Sequence, residues 1–223
     1  MMSPDRADER RAVVRRTGIV IMALGVVEIL YGVANAPPGA FSLNCLGLLT
    51  GLAIFAGNAR MVAGVRWLAC LELAPVAWML AGPLLFAPAD LLLTQLRLEP
   101  GQLATRHVPL MVTLAALIFI ARQLGRPEVL DADSAARIEA RDLRIPAALG
   151  LAIAIGLGVH DYRTLHGDDA RIALARAAQR YDGQYRYFIR AIRYHGGDHP
   201  AVTADLDVWN AYEVRHEVEG WPI

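Results

Sequence analysis

The sequence predicts a membrane α-helical bundle of about five transmembrane helices, followed by a small C-terminal α+β domain in which one helix packs on a two- or three-stranded antiparallel sheet. Three observations predict it. Hydrophobic residues make up 55% of the 223-residue chain and charged residues only 20%, an excess of apolar surface that suits lipid better than water. The apolar residues gather into runs close to the ~20 residues a helix needs to cross about 30 Å of hydrocarbon. Past residue 163 the pattern changes to an arginine-rich helix and then to alternating aromatic, β-branched and charged residues.

The spans are expected at 17–36, 41–57, 65–87, 107–124 and 143–162, after a basic tail over 1–16 and before a separate domain over 163–223. The fifth is the shortest. Its uncharged part runs only from Ile145 to Val159, with Arg144 able to snorkel at one end and Tyr162 able to sit at the interface at the other. Between the third and fourth spans, Leu91, Leu92, Leu93, Leu96 and Leu98 are interrupted by Asp90, Arg97, Glu99, Pro100 and Gly101, which predicts an interfacial loop with room for one short helix. Ala34-Asn35-Ala36 has the form of a signal-cleavage site. The long preceding run, Glu28 within it and Pro37 just after it argue against cleavage.

Arginine placement sets the expected orientation, because short loops rich in positive charge stay in the cytoplasm. Arg6, Arg10, Arg11, Arg15 and Arg16 precede span one, Arg60 and Arg66 follow span two, and Arg122, Arg126, Arg137, Arg141 and Arg144 follow span four; the opposite loops hold only Arg97 and Arg106. An odd number of spans then puts residues 163–223 outside. All 22 basic residues are arginine, a bias typical of GC-rich bacterial genomes, so the expected location is a bacterial inner membrane with a periplasmic C-terminal domain. The basic residues balance 22 acids, which disfavours nucleic acid as a partner. Cys45 and Cys70 both lie in apolar runs and read as core fillers.

Small residues mark helix faces where neighbours approach closely. Gly18, Gly25 and Gly32 form one such stripe; Gly47 and Gly51 form another, extended by Asn44 and Asn58; Ala148, Ala152 and Gly156 form a third, continued by His160. A compact bundle or a homo-oligomer would use them.

In the terminal domain, Asp168 and Asp169 are expected to cap a helix reaching about Tyr181, with Ala170, Leu174, Ala177, Ala178 and Tyr181 on its buried face. Strands follow over Gln184–Tyr194 and Ala201–Val208, with Tyr185, Tyr187, Phe188 and Trp209 supplying an aromatic core. Pairing Tyr194 with Ala201 sets Ile189 against Leu206 and Tyr187 against Val208 inside, and Arg190 against Asp205 on the wet side. The even parity of Tyr212, Val214, His216 and Val218 predicts a three-residue turn after Trp209 or one long bent strand. A unit this small is marginal alone and is expected to rest on the membrane domain or on another copy.

Glu28 and Glu72 are the acids well inside the spans; with Asn44 they are the intramembrane polar candidates, as helix-holding hydrogen bonders or as a proton or ion relay. All six histidines fall on the predicted outer side, and His195, Asp198 and His199 share one loop, a candidate metal set. No phosphate loop, nucleophile elbow, paired-cysteine motif or zinc-protease helix is present, so no cofactor is expected. The leading expectation is a non-enzymatic envelope component in the lipid bilayer that binds a protein partner. The alternatives are a small transporter using Glu28 and Glu72 and a metal-dependent envelope enzyme.

Overall fold

The computed structural model describes residues 4–34, 46–127, 129–130, 142–181, 183–196 and 201–222. Its elements are α1 (Pro4–Ala34), α2 (Leu46–Phe55), α3 (Ala59–Phe86), α4 (Ala89–Leu98), α5 (Pro100–Leu124), α6 (Arg144–His166), α7 (Asp168–Arg180), β1 (Arg186–His195), β2 (Ala201–Trp209) and β3 (Val214–Pro222). Three helices, Ala59–Phe86, Pro100–Leu124 and Arg144–His166, are long and apolar enough to cross a membrane, and they contain most of the spans expected at 65–87, 107–124 and 143–162. The expected spans 17–36 and 41–57 lie partly outside the described residues. The chain divides into two compact units, Met1–Ala74 with Thr113–Leu151 and Pro75–Val112 with Ala152–Ile223.

In the first unit α1 continues through the arginine-rich segment, so the described part of the basic tail is its opening turns. Pro4 suits the first helical position, and the Ala, Arg and Glu that follow are strong helix formers. The glycine stripes of α1 and α2 face each other, a pairing that the stripes alone did not specify. A Cβ on Gly18 would come within 2.7 Å of the Phe55 backbone nitrogen, one on Gly25 within 2.7 Å of that of Leu48, and one on Gly51 within 2.6 Å of that of Met22. Asn58 does not extend this face. Its Oδ1 accepts from the backbone N–H groups of Arg60 (3.1 Å) and Met61 (3.3 Å), capping α3. On α6 the close approach is made by Gly150, where a Cβ would overlap the Leu71 carbonyl, while Gly156 of the expected stripe has open space. Val13, Val14, Ile21, Ile54, Val62, Ala69, Ile120 and Leu124 form the buried core of this unit.

In the second unit, the segment expected to be mainly loop is α4 and the start of α5. Pro100 accounts for the break between them, because a residue before proline is pushed out of the helical region and proline then suits a first turn. Glu99 sits there at φ −132° and ψ 50°. The sheet is three-stranded and antiparallel in the order β1-β2-β3. α7 covers one face with Ala170, Ala173 and Ala177, against Ile189, Val202, Ala204, Leu206, Val208 and Trp221. Ala173 takes the place expected for Ala178, which is exposed. The α7 N-cap is Gly167 with no side-chain cap bond, so Asp168 and Asp169 act within the first turn, where negative charge suits the helix dipole.

The predicted register holds for half of the first hairpin. Tyr187 opposes Val208 and Ile189 opposes Leu206, but an irregularity at Arg190 shifts the remainder by one, setting Tyr194 against Val202 and Ala191 against Asp205. The expected pair of Arg190 with Asp205 is therefore replaced. Arg193 takes Asp205 at 2.6 Å, and Arg190 stands 3.6 Å from Asp207. The turn after Trp209 spans residues 210–213, with the Asn210 N–H bonded to the Glu213 carbonyl at 3.0 Å and the Asn210 side chain accepting from the Tyr212 and Glu213 N–H groups. An even-numbered loop reverses the expected parity: Val208 pairs with Arg215, and His216 pairs with Asp207. Parity failed as a guide because the supposed wet face is covered around Asp207.

Candidate functional site

The sheet face opposite α7 carries Asp205, Asp207, Trp209 and His216, and α4 with the start of α5 reaches it. Asp207 is the focus. It is 2% exposed and accepts hydrogen bonds from the Gln95 amide at 3.1 Å and from His216 Nδ1 at 2.6 Å, with the Arg190 guanidinium alongside. His216 Nδ1 also lies 3.3 Å from Arg190, but a carboxylate can only accept, so Nδ1–H donates to Asp207. Its Nε2 faces Gln102 Oε1 at 2.9 Å and Glu99 Oε2 at 3.1 Å. One histidine thus connects β2, β3 and the α4–α5 junction.

A second tie lies at the α4 N-terminus. Asp90, in the first turn of α4, accepts from the Trp209 indole N–H at 3.2 Å and from Arg186. Burial pushes the Asp90 carboxyl up, but the hydrogen bonds from Trp209 and Arg186, with the charge of Arg186, outweigh it and hold the group below its usual range. A third pair stands where α3 and α6 approach: the Trp78 indole donates to Asp161 at 3.0 Å, and Trp78 would touch any Cβ placed at Gly158.

These elements wall a cavity of about 240 Å³. Phe86, Leu91, Leu92, Leu103, Leu165 and Phe188 give it apolar walls, while Arg106, Arg190, His107, His160, Asp161 and Asp207 bring polar groups to it. A hollow that joins apolar walls to converging polar groups has the composition of a binding site. His107 turns Nδ1 onto the Leu103 carbonyl at 2.9 Å. The lining offers guanidinium, imidazole and carboxylate groups but no serine or cysteine nucleophile.

The residues singled out from the sequence are placed elsewhere or fall outside the description. Asn44 and the side chain of Glu28 are outside the described residues, and Glu72 is an exposed residue of α3. Of the candidate metal set, Asp198 and His199 lie outside the described residues, and His195 Nε2 stands 2.9 Å from the Thr203 hydroxyl. Among the described residues, no group of three or more His, Cys, Asp or Glu side chains is arranged to hold a metal ion.

Sequence reasoning missed Asp207, Gln95, Glu99, Gln102 and Arg106 as a set. Two signals were available. Phe188 and Trp209, read as core aromatics, share by parity the face that Arg190 and Asp205 assign to solvent, and bulky aromatics there call for a cover; the leucines of 91–98, read as interfacial, supply it. No known protein-family model, curated protein or solved structure matches this chain.

Proposed function

We propose that the chain is a bacterial inner-membrane protein that crosses the bilayer about five times with its N-terminus in the cytoplasm, and that its periplasmic sheet module serves as a non-enzymatic binding component for a protein partner. The membrane reading rests on the three long apolar helices and on the one-sided arginine distribution. The binding reading rests on how Asp207 is used. It is buried and satisfied by Gln95, His216 and Arg190, and these contacts hold the sheet against α4 and α5. The sheet module still exposes Tyr212, Val218 and Tyr194, at 86%, 62% and 65%, as apolar and aromatic contact surface.

Affinity capture from gently solubilised membranes tests this reading. Tyr212→Ser with Val218→Ser is expected to release the partner while leaving the protein folded, and Glu28→Gln with Glu72→Gln to leave capture intact. Loss of ion or proton flux in the glutamate variant, with capture unaffected by the surface changes, would favour the transporter reading instead. Orientation is read separately, from alkaline phosphatase fused after Ile223, which is expected to be active.

A second reading is favoured by one observation. Arg106 and Arg190 both line the unit's cavity, where the charge of Asp207 is the favourable neighbour of Arg106, and a pair of guanidinium groups suits a small anionic ligand there. Arg106→Gln is expected to abolish such binding without affecting capture of a protein partner.

A further inference from the structure

The first unit holds a hollow of different chemistry, and it goes beyond the binding role of the sheet module while resting on the reading of the chain as membrane-embedded. A cavity of about 240 Å³ between α1 and the end of α2 is lined by Arg10, Arg11, Arg15, Val14, Phe55 and the turn at Ala56-Gly57. Three of these are guanidinium side chains, and no acid is among them. Gly57, at φ +80°, closes α2 with its N–H bonded to the Ile54 carbonyl at 2.8 Å and the Asn58 N–H bonded to the Ala53 carbonyl at 3.3 Å, which engages two of the carbonyls at that helix end.

Arg11 and Arg15 are weakly committed. Arg15 lies over the Phe55 ring at 5.7 Å, which places its charge without using its hydrogen-bond donors on an acceptor. Arg11 has only an exposed pair with Asp8 at 3.7 Å, a geometry that contributes little. A planar fork of N–H donors matches two oxygens of a phosphate. The surface beyond is apolar: Ile19, one turn after Arg15, is 52% exposed, and Leu52, one turn before Phe55, is 55% exposed.

We propose that this cavity binds the phosphodiester headgroup of an anionic membrane lipid, with Arg11 and Arg15 on the phosphate and the acyl chains lying over Ile19 and Leu52. Free phosphate shares the headgroup chemistry but would leave the adjoining apolar surface unused. A zwitterionic lipid would need a carboxylate for its ammonium, and among the described residues the lining has none.

The full chain, purified in neutral detergent and stripped of lipid, carries the test. Phosphatidylglycerol in mixed micelles is expected to raise the thermal midpoint by about 3 °C or more, phosphatidylcholine and inorganic phosphate to have no such effect, and Arg11→Gln with Arg15→Gln to lose the response. Arg163→Gln with Arg171→Gln, an equal loss of charge on α6 and α7, is expected to keep it. Should the double variant fail to fold, native mass spectrometry of the unaltered chain from an equimolar mixture of the two lipids is expected to show at least tenfold preference for phosphatidylglycerol. Equal response to the two lipids, an undiminished response in the double variant, or an equal shift with inorganic phosphate would each overturn the proposal. Recovery of the chain in the soluble fraction of cells would overturn the membrane reading with it.

Discussion

The two faces of the three-stranded sheet are held by different physics. Toward α7, the small side chains of Ala170, Ala173 and Ala177 let the helix lie close over Ile189, Leu206 and Val208, and burial of apolar area supplies the stability. Toward α4, the central contact is the carboxylate of Asp207, worthwhile only because Gln95, His216 and Arg190 satisfy it together. The apolar face tolerates imperfect partners and loses stability in proportion to the area removed. A polar face fails as a unit when one member is lost, and it fixes one arrangement in return.

Truncations rank the two faces. Leu206→Ala, beneath α7, is expected to cost the most, about 3–4 kcal/mol by the usual price of an unfilled core site, read as a lowered thermal midpoint of the detergent-solubilised chain. Asp207→Ala follows at about 2–4 kcal/mol, because Arg190 and His216 keep their polar groups but lose their shared acceptor; both are about one-third exposed, and partial rehydration limits the loss. Asp205→Ala, two residues away on the same face, is expected to change stability by less than about 1 kcal/mol, since its partner Arg193 is 63% exposed. Similar losses for the two aspartates would erase the distinction between a covered and an uncovered part of that face.

The α4 tie adds a pH signature. The Asp90 carboxyl is held below its usual range in the folded chain, so its contribution is complete above the ordinary carboxylate pKa near 4 and is lost as pH falls through the lower folded value. Asp90→Asn is therefore expected to flatten the acid limb of the stability profile while leaving the neutral region less affected. An unchanged acid limb would remove Asp90 from that role.

The same contrast explains how much was legible in the sequence. α7, the three strands and the partners Tyr187–Val208 and Ile189–Leu206 follow from local periodicity, because an apolar side chain announces its face wherever it stands. The glycine stripes of α1 and α2 were legible for a similar reason, since a missing side chain signals close approach. Asp207 gave no such signal: in sequence it is one more acid alternating with Val208 and Leu206, and its partner Gln95 is 112 positions away. The irregularity at Arg190 and the four-residue turn after Trp209 were hidden for a linked reason. Parity fixes register only when one face is wet, and here both are covered near Asp207. On α6, Gly150 and Gly158 were passed over for a neighbouring stripe because several small residues share that helix, and only the position of α3 chooses between them.

Direct geometric proof of the covered polar face comes from cross-linking α4 to the turn after β2, at positions outside the Asp207 network. In a chain with Cys45→Ala and Cys70→Ala, Thr94→Cys with Ala211→Cys, which line one hollow, is expected to be bridged within the molecule by a short bifunctional thiosulfonate, seen as a linked peptide pair by mass spectrometry. An unbridged pair, under conditions where Arg176→Cys with Gly220→Cys is bridged across α7 and β3, would contradict the account.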